Sequence, residues 1–269
     1  MALKLYNGFM RSNQIQIDAS GGTIMKELLN IVYDESHPGS CSLDMYLPDT
    51  DSPCPVFIFF HGGGIEGGSK DVSEDLKNLS SRKIALVSVE YRMYPDAKYP
   101  EFIEDAANAI YFVKKYGITN KLFSEIFVGG SSAGAYLALM NYFDSRYLGK
   151  YSISPNSITG WIFDAGQPTV HFNVLRERGL DSRLVRIDEA APIYFVDHDI
   201  DPSYQSRLLF ITAENDIPNR FEQTKLLLKT MEQYNYDMSK VDFKLMIGCT
   251  HCSYPIGDII SDFIFKASK

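Results

Sequence analysis

Short apolar runs alternate along this chain with longer segments in which apolar residues recur at helical spacing. Residues 56–60, with the sequence VFIFF, are apolar at every position, which is typical of a strand buried on both faces. Residues 84–89 form a second, nearly continuous run. Residues 42–47 instead alternate polar and apolar side chains before Pro48 ends the run, which predicts a strand with one covered face.

The remaining elements follow the same two patterns. Further strands are predicted at residues 14–18, 28–33, 126–129, 160–163, 208–211 and 241–246, and helices at 71–79, 102–116, 220–234 and 256–266, with one more from Ser132 onward. Strands that alternate with helices favour a mostly parallel central sheet with helices on both faces, and the closely spaced first strands predict an antiparallel edge. Since no repeat, low-complexity tract or linker divides residues 1–269, we expect a single α/β domain.

The segment between the strands near Phe163 and Leu208 breaks this alternation. It contains a candidate helix at residues 170–178 and an acidic, proline-bearing stretch at 197–202. A long excursion from the carboxyl end of a sheet usually covers the active site, so we expect a small cap at about 165–206. The alternative interpretation is a surface crossover with a longer loop.

The charge balance narrows the set of partners. The chain has 26 Lys and Arg against 34 Asp and Glu, a formal net charge of −8, which disfavours nucleic acid or an anionic membrane surface. No stretch approaches the roughly 18 apolar residues of a membrane span, and the N-terminal segment lacks the apolar core of a signal peptide. We therefore expect a cytoplasmic protein without a membrane span, and its oligomeric state stays open.

Two of the four cysteines flank a histidine in Cys249-Thr250-His251-Cys252. That spacing is compatible with zinc or redox chemistry, but no second pair of ligands stands at the distance of a structural zinc site. Without a signal peptide, free thiols are favoured over disulfides. The sequence therefore predicts no metal and no cofactor.

A candidate nucleophile lies in Gly130-Ser131-Ser132-Ala133-Gly134, between a predicted strand and a predicted helix. Gly-x-Ser-x-Gly in this setting is the pattern of a nucleophile elbow, a sharp turn in which bulky neighbours would keep strand and helix apart. The turn also puts Ser132 at a helix N-terminus, where backbone N–H groups favour a developing anion. Ser132 is therefore the predicted nucleophile.

A serine hydroxyl needs a base to take its proton and a carboxylate to orient that base. Among five histidines, His251 follows the last predicted strand, where the chain order Ser, Asp, His puts the base. Asp216 follows the preceding strand and is the predicted acid. Glu214 lies close to it, and Asp164 would serve if the acid came from one strand earlier, so both remain as alternatives.

Attack on a carbonyl places negative charge on its oxygen, and backbone N–H groups must already point there. The motif HGGG at residues 61–64 follows a buried apolar run, and its glycines allow the backbone to come close to that oxygen. We expect the N–H groups of Gly63, Gly64 and Ala133 to form the oxyanion hole, with His61 holding the loop. The alternative is a flexible glycine-rich turn, and the pattern of a phosphate-binding loop is absent.

Together these motifs resemble the α/β-hydrolases of the acetyl-esterase and lipase group, similar to hormone-sensitive lipase, and the related small carbohydrate-acyl and feruloyl esterases. The matching motifs span about residues 43–251: LDMYLP at 43–48, HGGG at 61–64, EYRMYPD at 90–96, GSSAG at 130–134, DIP at 216–218 and His251. Two positions depart from the family pattern. Ser131 stands where the lipase-like branch often has Asp, and Ile65 stands where an aromatic residue commonly follows the glycines.

The resemblance implies the α/β-hydrolase fold and a serine carboxylic-ester hydrolase with the Ser132, His251 and Asp216 triad. Its partner would be a small-molecule ester with a short acyl or carbohydrate-linked group, although the two departures leave the acyl preference open. An amidase of the kynurenine formamidase type is an alternative, because that family looks similar around the oxyanion loop. A non-catalytic ligand-binding protein is another, since a fold alone does not fix a function.

Overall fold

A computed structural model of the protein describes residues 13–17, 23–197 and 205–268. Within these ranges nine strands form one sheet: β1 (Asn13–Ile17), β2 (Thr23–Val32), β3 (Ser42–Pro48), β4 (Cys54–Phe60), β5 (Ala85–Val89), β6 (Phe123–Ser131), β7 (Gly160–Asp164), β8 (Arg207–Asn215) and β9 (Val241–Thr250). The α-helices in the same ranges are α1 (Glu74–Lys77), α2 (Glu101–Asn120), α3 (Ala133–Phe143), α4 (Ser145–Gly149), α5 (Phe172–Glu177), α6 (Arg220–Gln233) and α7 (Gly257–Ala267). Short 3-10 helices lie at Asn78–Arg82, Pro155–Ser157, Pro192–Phe195 and Met238–Lys240.

The strands of the sheet are arranged in the order β1-β2-β3-β5-β4-β6-β7-β8-β9. The pairs β1–β2, β2–β3 and β3–β5 are antiparallel, and all other neighbours are parallel. The predicted antiparallel edge and mostly parallel centre are thus confirmed. Because parallel strands end at the same edge of a sheet, the loops after β4, β6, β8 and β9 all open there.

Packed layers cover both faces of the central strands, and the strand sequences show why. Val56, Ile58 and Phe60 of β4 pack with residues of α2 and α3, whereas Phe57 and Phe59 belong to the opposite layer with α7. Side chains alternate across a strand, so a strand covered on both faces must be apolar at every position. All five of these residues are buried.

Capping moves one helix start away from the prediction. The helix predicted at 71–79 begins only at Glu74, because the Ser73 hydroxyl accepts a hydrogen bond from the Leu76 N–H at 3.4 Å and caps the first turn. From Asn78 the chain continues as a 3-10 helix. Apolar spacing alone therefore placed this boundary wrongly.

The insertion between β7 and β8 contains α5 and the 3-10 helix Pro192–Phe195 in its described part. The helix predicted at 170–178 is shorter at both ends, and His171 caps its start by accepting the Asn173 N–H at 3.2 Å. Most of the predicted acidic stretch 197–202 lies outside the described residues, as does the last residue of the first predicted strand. None of the described helices has the length and apolar character needed to cross a membrane.

Candidate active site

Ser132 lies in a tight turn between β6 and α3, which confirms the predicted strand-turn-helix. Its backbone angles, φ 54° and ψ −111°, are rarely adopted by residues other than glycine. Gly134 lies so close to Phe60 in β4 that a Cβ atom on it would overlap the Phe60 carbonyl. A side chain there would push α3 off the sheet, which explains the second glycine of the motif. The Ser132 N–H donates to the carbonyl oxygen of Asp164 in β7 at 2.8 Å and fixes the turn.

The side chains of Ser132, His251 and Asp216 form one chain of hydrogen bonds. His251 Nε2 is 2.8 Å from Ser132 Oγ, and His251 Nδ1 is 2.6 Å from Asp216 Oδ1. An ionised carboxylate only accepts, so Nδ1 carries the ring proton and Nε2 is left to accept the serine O–H. The Asp216 side chain is 1% exposed, whereas the His251 side chain is 24% exposed. This geometry suits proton transfer from the serine to an oriented imidazole.

Parallel pairing of β8 with β9 brings the acid and the base together. The residues directly before Asp216 and His251 are register partners at the carboxyl ends of these strands. The Asp216 carboxylate also accepts the N–H groups of Ala213 at 3.3 Å and Ile217 at 2.7 Å. Burial opposes ionisation, but the hydrogen bonds from His251 and from these N–H groups outweigh it and hold the pKa of Asp216 below its usual value. The carboxylate is therefore ionised at neutral pH.

The two alternative acids make different contacts. Glu214 is exposed, and its carboxylate accepts the Gly248 N–H at 2.8 Å. Asp164 is 1% exposed and accepts hydrogen bonds from the Ser131 hydroxyl at 2.6 Å and the Tyr254 hydroxyl at 2.7 Å. Burial raises the pKa of Asp164 in spite of these two donors. Neither carboxylate hydrogen-bonds to the candidate base in the described part of the chain, and Asp164 instead links the elbow to the loop after β9.

The glycine-rich loop after β4 passes next to the elbow. A Cβ atom on Gly62 would lie 3.2 Å from the Ser131 carbonyl oxygen, so the two backbones are close to contact. Gly63 and Gly64 have φ angles of +108° and +69°, in the region that favours glycine. Helix α3 begins at Ala133, so the N–H groups of its first turn have no acceptor within the helix. The three N–H groups predicted for the oxyanion hole thus belong to two adjacent segments.

Helix α5 of the insertion packs against this loop. A Cβ atom on Gly64 would lie 3.0 Å from Phe172 Cζ, so the phenyl ring sits directly beside that glycine. The Arg176 guanidinium lies 5.2 Å from the centre of the Phe172 ring and forms an ion pair with Glu66 of the loop at 2.9 Å. Burial lowers the pKa of His171, whose ring centre is 4.3 Å from that of Phe172, so this second imidazole is neutral. Sequence reasoning missed Phe172, because no local pattern shows which insertion residue meets the loop.

Potential metal ligands form one group in the part of the chain that the structure describes. Donor atoms of three residues in the β2–β3 connection lie within 4.8 Å of one another: Asp34, His37 and Cys41. Neither cysteine of the C-x-x-C motif belongs to this group. Burial and the carboxylates of Asp164 and Asp216 raise the pKa of the Cys252 thiol, so it stays protonated beside the candidate base.

Comparisons with known proteins agree with this architecture. Residues 43–148 match the BD-FAE family. The chain is 29% identical over 180 residues to the carboxylic ester hydrolase LipN of Mycobacterium tuberculosis, and the match covers 63% of this chain but 47% of LipN. Esterase B from Lactobacillus rhamnosis superposes with a TM-score of 0.71 at 17% identity, over 95% of this chain and 89% of that one. A truncated carbohydrate esterase from gut microbiota gives a TM-score of 0.71 at 17% identity, over 90% and 96%.

The sheet order, the elbow and the superposition on both esterase structures define the fold. The chain has the α/β-hydrolase fold, as the sequence motifs predicted. The BD-FAE match covers less than half of the chain, and over the rest the likeness to these esterase structures is one of fold. The chain spans about half of the length of LipN, 47%.

Proposed function

We propose that the protein is a serine carboxylic-ester hydrolase with Ser132 as nucleophile, His251 as base and Asp216 as the orienting acid. The observation that carries this proposal is the continuous hydrogen-bond chain from Ser132 Oγ through both ring nitrogens of His251 to Asp216. The names of the relatives, carboxylic ester hydrolase and esterase, support the same reaction class. A non-catalytic binding protein would have no need of this chain of groups.

In the proposed reaction, Ser132 Oγ attacks the ester carbonyl carbon while His251 Nε2 takes the hydroxyl proton. The carbonyl oxygen becomes an anion and accepts hydrogen bonds from the N–H groups of Gly63, Gly64 and Ala133. The imidazolium then gives its proton to the leaving alcohol, and an acyl-serine remains. Water then loses a proton to His251 and attacks the acyl carbon. The imidazolium returns that proton to Ser132 Oγ as the acid leaves, which restores the serine and the neutral imidazole.

The substrates we propose are esters with a short acyl group, including acetyl groups on carbohydrates. Phe172 supports the short acyl group, because its ring occupies the space beside Gly64, next to the proposed oxyanion hole. The gut-microbiota relative named a carbohydrate esterase supports a sugar as the leaving group. The insertion at about 165–206 would then act as a small cap within one domain, with α5 as the part that borders the site.

A substrate panel tests this proposal. Purified protein is assayed against p-nitrophenyl acetate, butyrate and octanoate, acetylated xylan, a feruloyl ester and N-formylkynurenine, with Ser132→Ala as the background. We expect hydrolysis of the acetyl and butyryl esters, loss of it in Ser132→Ala, and weak turnover of the octanoate. Hydrolysis of N-formylkynurenine without that of any ester would replace the esterase proposal by the formamidase alternative. Binding of these compounds without turnover would favour the alternative of a non-catalytic ligand-binding protein.

A further inference from the structure

The glycine-rich loop after β4 begins at His61 and is called the oxyanion loop from here on. The His61 ring meets a hydrogen-bond acceptor at each of its two nitrogens. Nδ1 lies 2.7 Å from the carbonyl oxygen of Gly62, and Nε2 lies 2.9 Å from Glu90 Oε1. A carbonyl oxygen has no proton to give, and neutral imidazole carries only one N–H. The two contacts therefore require two protons between the ring and the Glu90 carboxyl group.

The contacts of Glu90 indicate where the second proton resides. Glu90 Oε2 accepts the Lys70 backbone N–H at 3.1 Å, a contact that suits an ionised carboxylate, whose oxygens only accept. Imidazole is also a stronger base than a carboxylate in water. The Lys70 ammonium group is itself paired with Asp44 at 2.7 Å and does not compete for Glu90. The second proton therefore belongs on the His61 ring.

The Tyr91 ring makes a third contact with the His61 ring, and this contact stabilises a positive charge on the imidazole. Its ring is fully buried and stacks on the imidazole, with the ring centres 4.5 Å apart and an angle of 17° between the planes. The face of an aromatic ring attracts a cation placed over it. Burial raises the pKa of Tyr91, so its hydroxyl keeps its proton and donates to the His61 carbonyl oxygen at 2.8 Å.

From these contacts we propose that His61 is a buried imidazolium, paired with Glu90 and stacked on Tyr91, that holds the oxyanion loop in its working conformation. Gly68 shows how closely the loop closes over this ring, because a Cβ atom on it would lie 2.6 Å from His61 Nδ1. The imidazolium donates to Gly62 and so fixes the peptide next to Gly63. His61 is thus a positioning residue that acts through the loop, and this consequence for catalysis rests on the proposed function.

Nitrogen NMR tests the charge without reference to activity. A long-range ¹H–¹⁵N spectrum of the ¹⁵N-labelled protein at about pH 8 separates imidazolium from neutral histidine, since free imidazole with a pKa of about 6.5 is neutral there. Signals that disappear in His61→Gln are assigned to His61. We expect both His61 nitrogens to be protonated in the native protein and only one in urea. A singly protonated His61 in the native protein would overturn the proposal, whether or not any ester is hydrolysed.

Kinetics of Glu90→Gln test the positioning role. The glutamine can accept from Nε2–H or donate its NH₂ group to Nε2, but it cannot stabilise the charge, so we expect a neutral His61. A neutral ring shares its single proton between the contacts with residue 90 and with Gly62, and we expect this weaker hold on the loop to reduce kcat about tenfold, below the ~10²–10³ loss seen when an oxyanion donor is deleted. KM should change less than about twofold, because the loop acts mainly on the developing anion. Glu90→Asp, which keeps the charge, should restore part of the loss. Glu104→Gln, which removes a partner of Lys150, is the matched control and should leave kcat unchanged. A wild-type kcat in Glu90→Gln would overturn the positioning role.

Discussion

Replacement of Asp216 by Asn removes the acceptor that orients His251. The carboxylate oxygen is 2.6 Å from His251 Nδ1 and its side chain is 1% exposed, so water cannot take over this contact. An asparagine would present its NH₂ group to Nδ1 in half of its orientations, which favours the tautomer with the proton on Nε2. That tautomer cannot accept the Ser132 proton. In another serine hydrolase such a change costs about 10⁴ in kcat, and we expect about 10³–10⁴ here, or roughly 4–5.5 kcal/mol at 1.36 kcal/mol per tenfold.

The assay compares three variants on p-nitrophenyl acetate. Asp164→Asn and Glu214→Gln should keep kcat within about tenfold of the wild type, because neither carboxylate hydrogen-bonds to the ring of the candidate base among the described residues. The raised pKa of Asp164 means that its ionisation costs stability as the pH rises above its unfolded pKa of about 3.9, so Asp164→Asn should remove this part of the pH dependence of the unfolding free energy. If Asp164→Asn loses its activity and Asp216→Asn keeps it, the orienting acid comes from β7 and the assignment of Asp216 is refuted.

Three further outcomes are expected. The pKa of Asp216 is lowered, so this carboxylate stays ionised while the base is protonated. A plot of log kcat/KM against pH should therefore have a slope of about one on its acid side, from the base alone. A slope of two would show that a second group is protonated as well. EDTA should leave hydrolysis unchanged, since both ring nitrogens of His251 are already hydrogen-bonded, and inhibition reversed by zinc would revive the metal interpretation. Phe172→Ala should raise kcat/KM for the octanoate relative to the acetate by about tenfold or more. The exposed Phe265→Ala is its control, and an unchanged ratio in Phe172→Ala would remove Phe172 from the acyl side.

Sequence reasoning worked where one residue type satisfies one local requirement. The apolar run at 56–60 is a strand covered on both faces, as expected from a run that is apolar at every position. The glycines of the elbow are required by backbone contact between α3 and β4. Chain order also led to the expectation that His251 and Asp216 lie at the same edge of the sheet, and the pairing of β8 with β9 brings them together there.

The remaining features depend on contacts between distant segments. Glu90 stood in a motif with Tyr91, but nothing in the local pattern indicates that both residues enclose the His61 ring. Tyr254 and Phe172 likewise acquire their positions from the packing of a loop and of the insertion. The predicted start of α1 was wrong for a simpler reason: apolar spacing carries no information about which residue caps the helix.

Covalent trapping of the nucleophile tests the central claim most directly. The protein is incubated with diethyl p-nitrophenyl phosphate, released p-nitrophenolate is counted against protein, and the modified peptide is identified by mass spectrometry. The proposed function predicts one diethylphosphoryl group per chain, attached to Ser132, with ester hydrolysis lost in proportion to labelling and both absent in Ser132→Ala. An adduct on another residue would contradict the claim, as would ester turnover above about a tenth of wild type in Ser132→Ala.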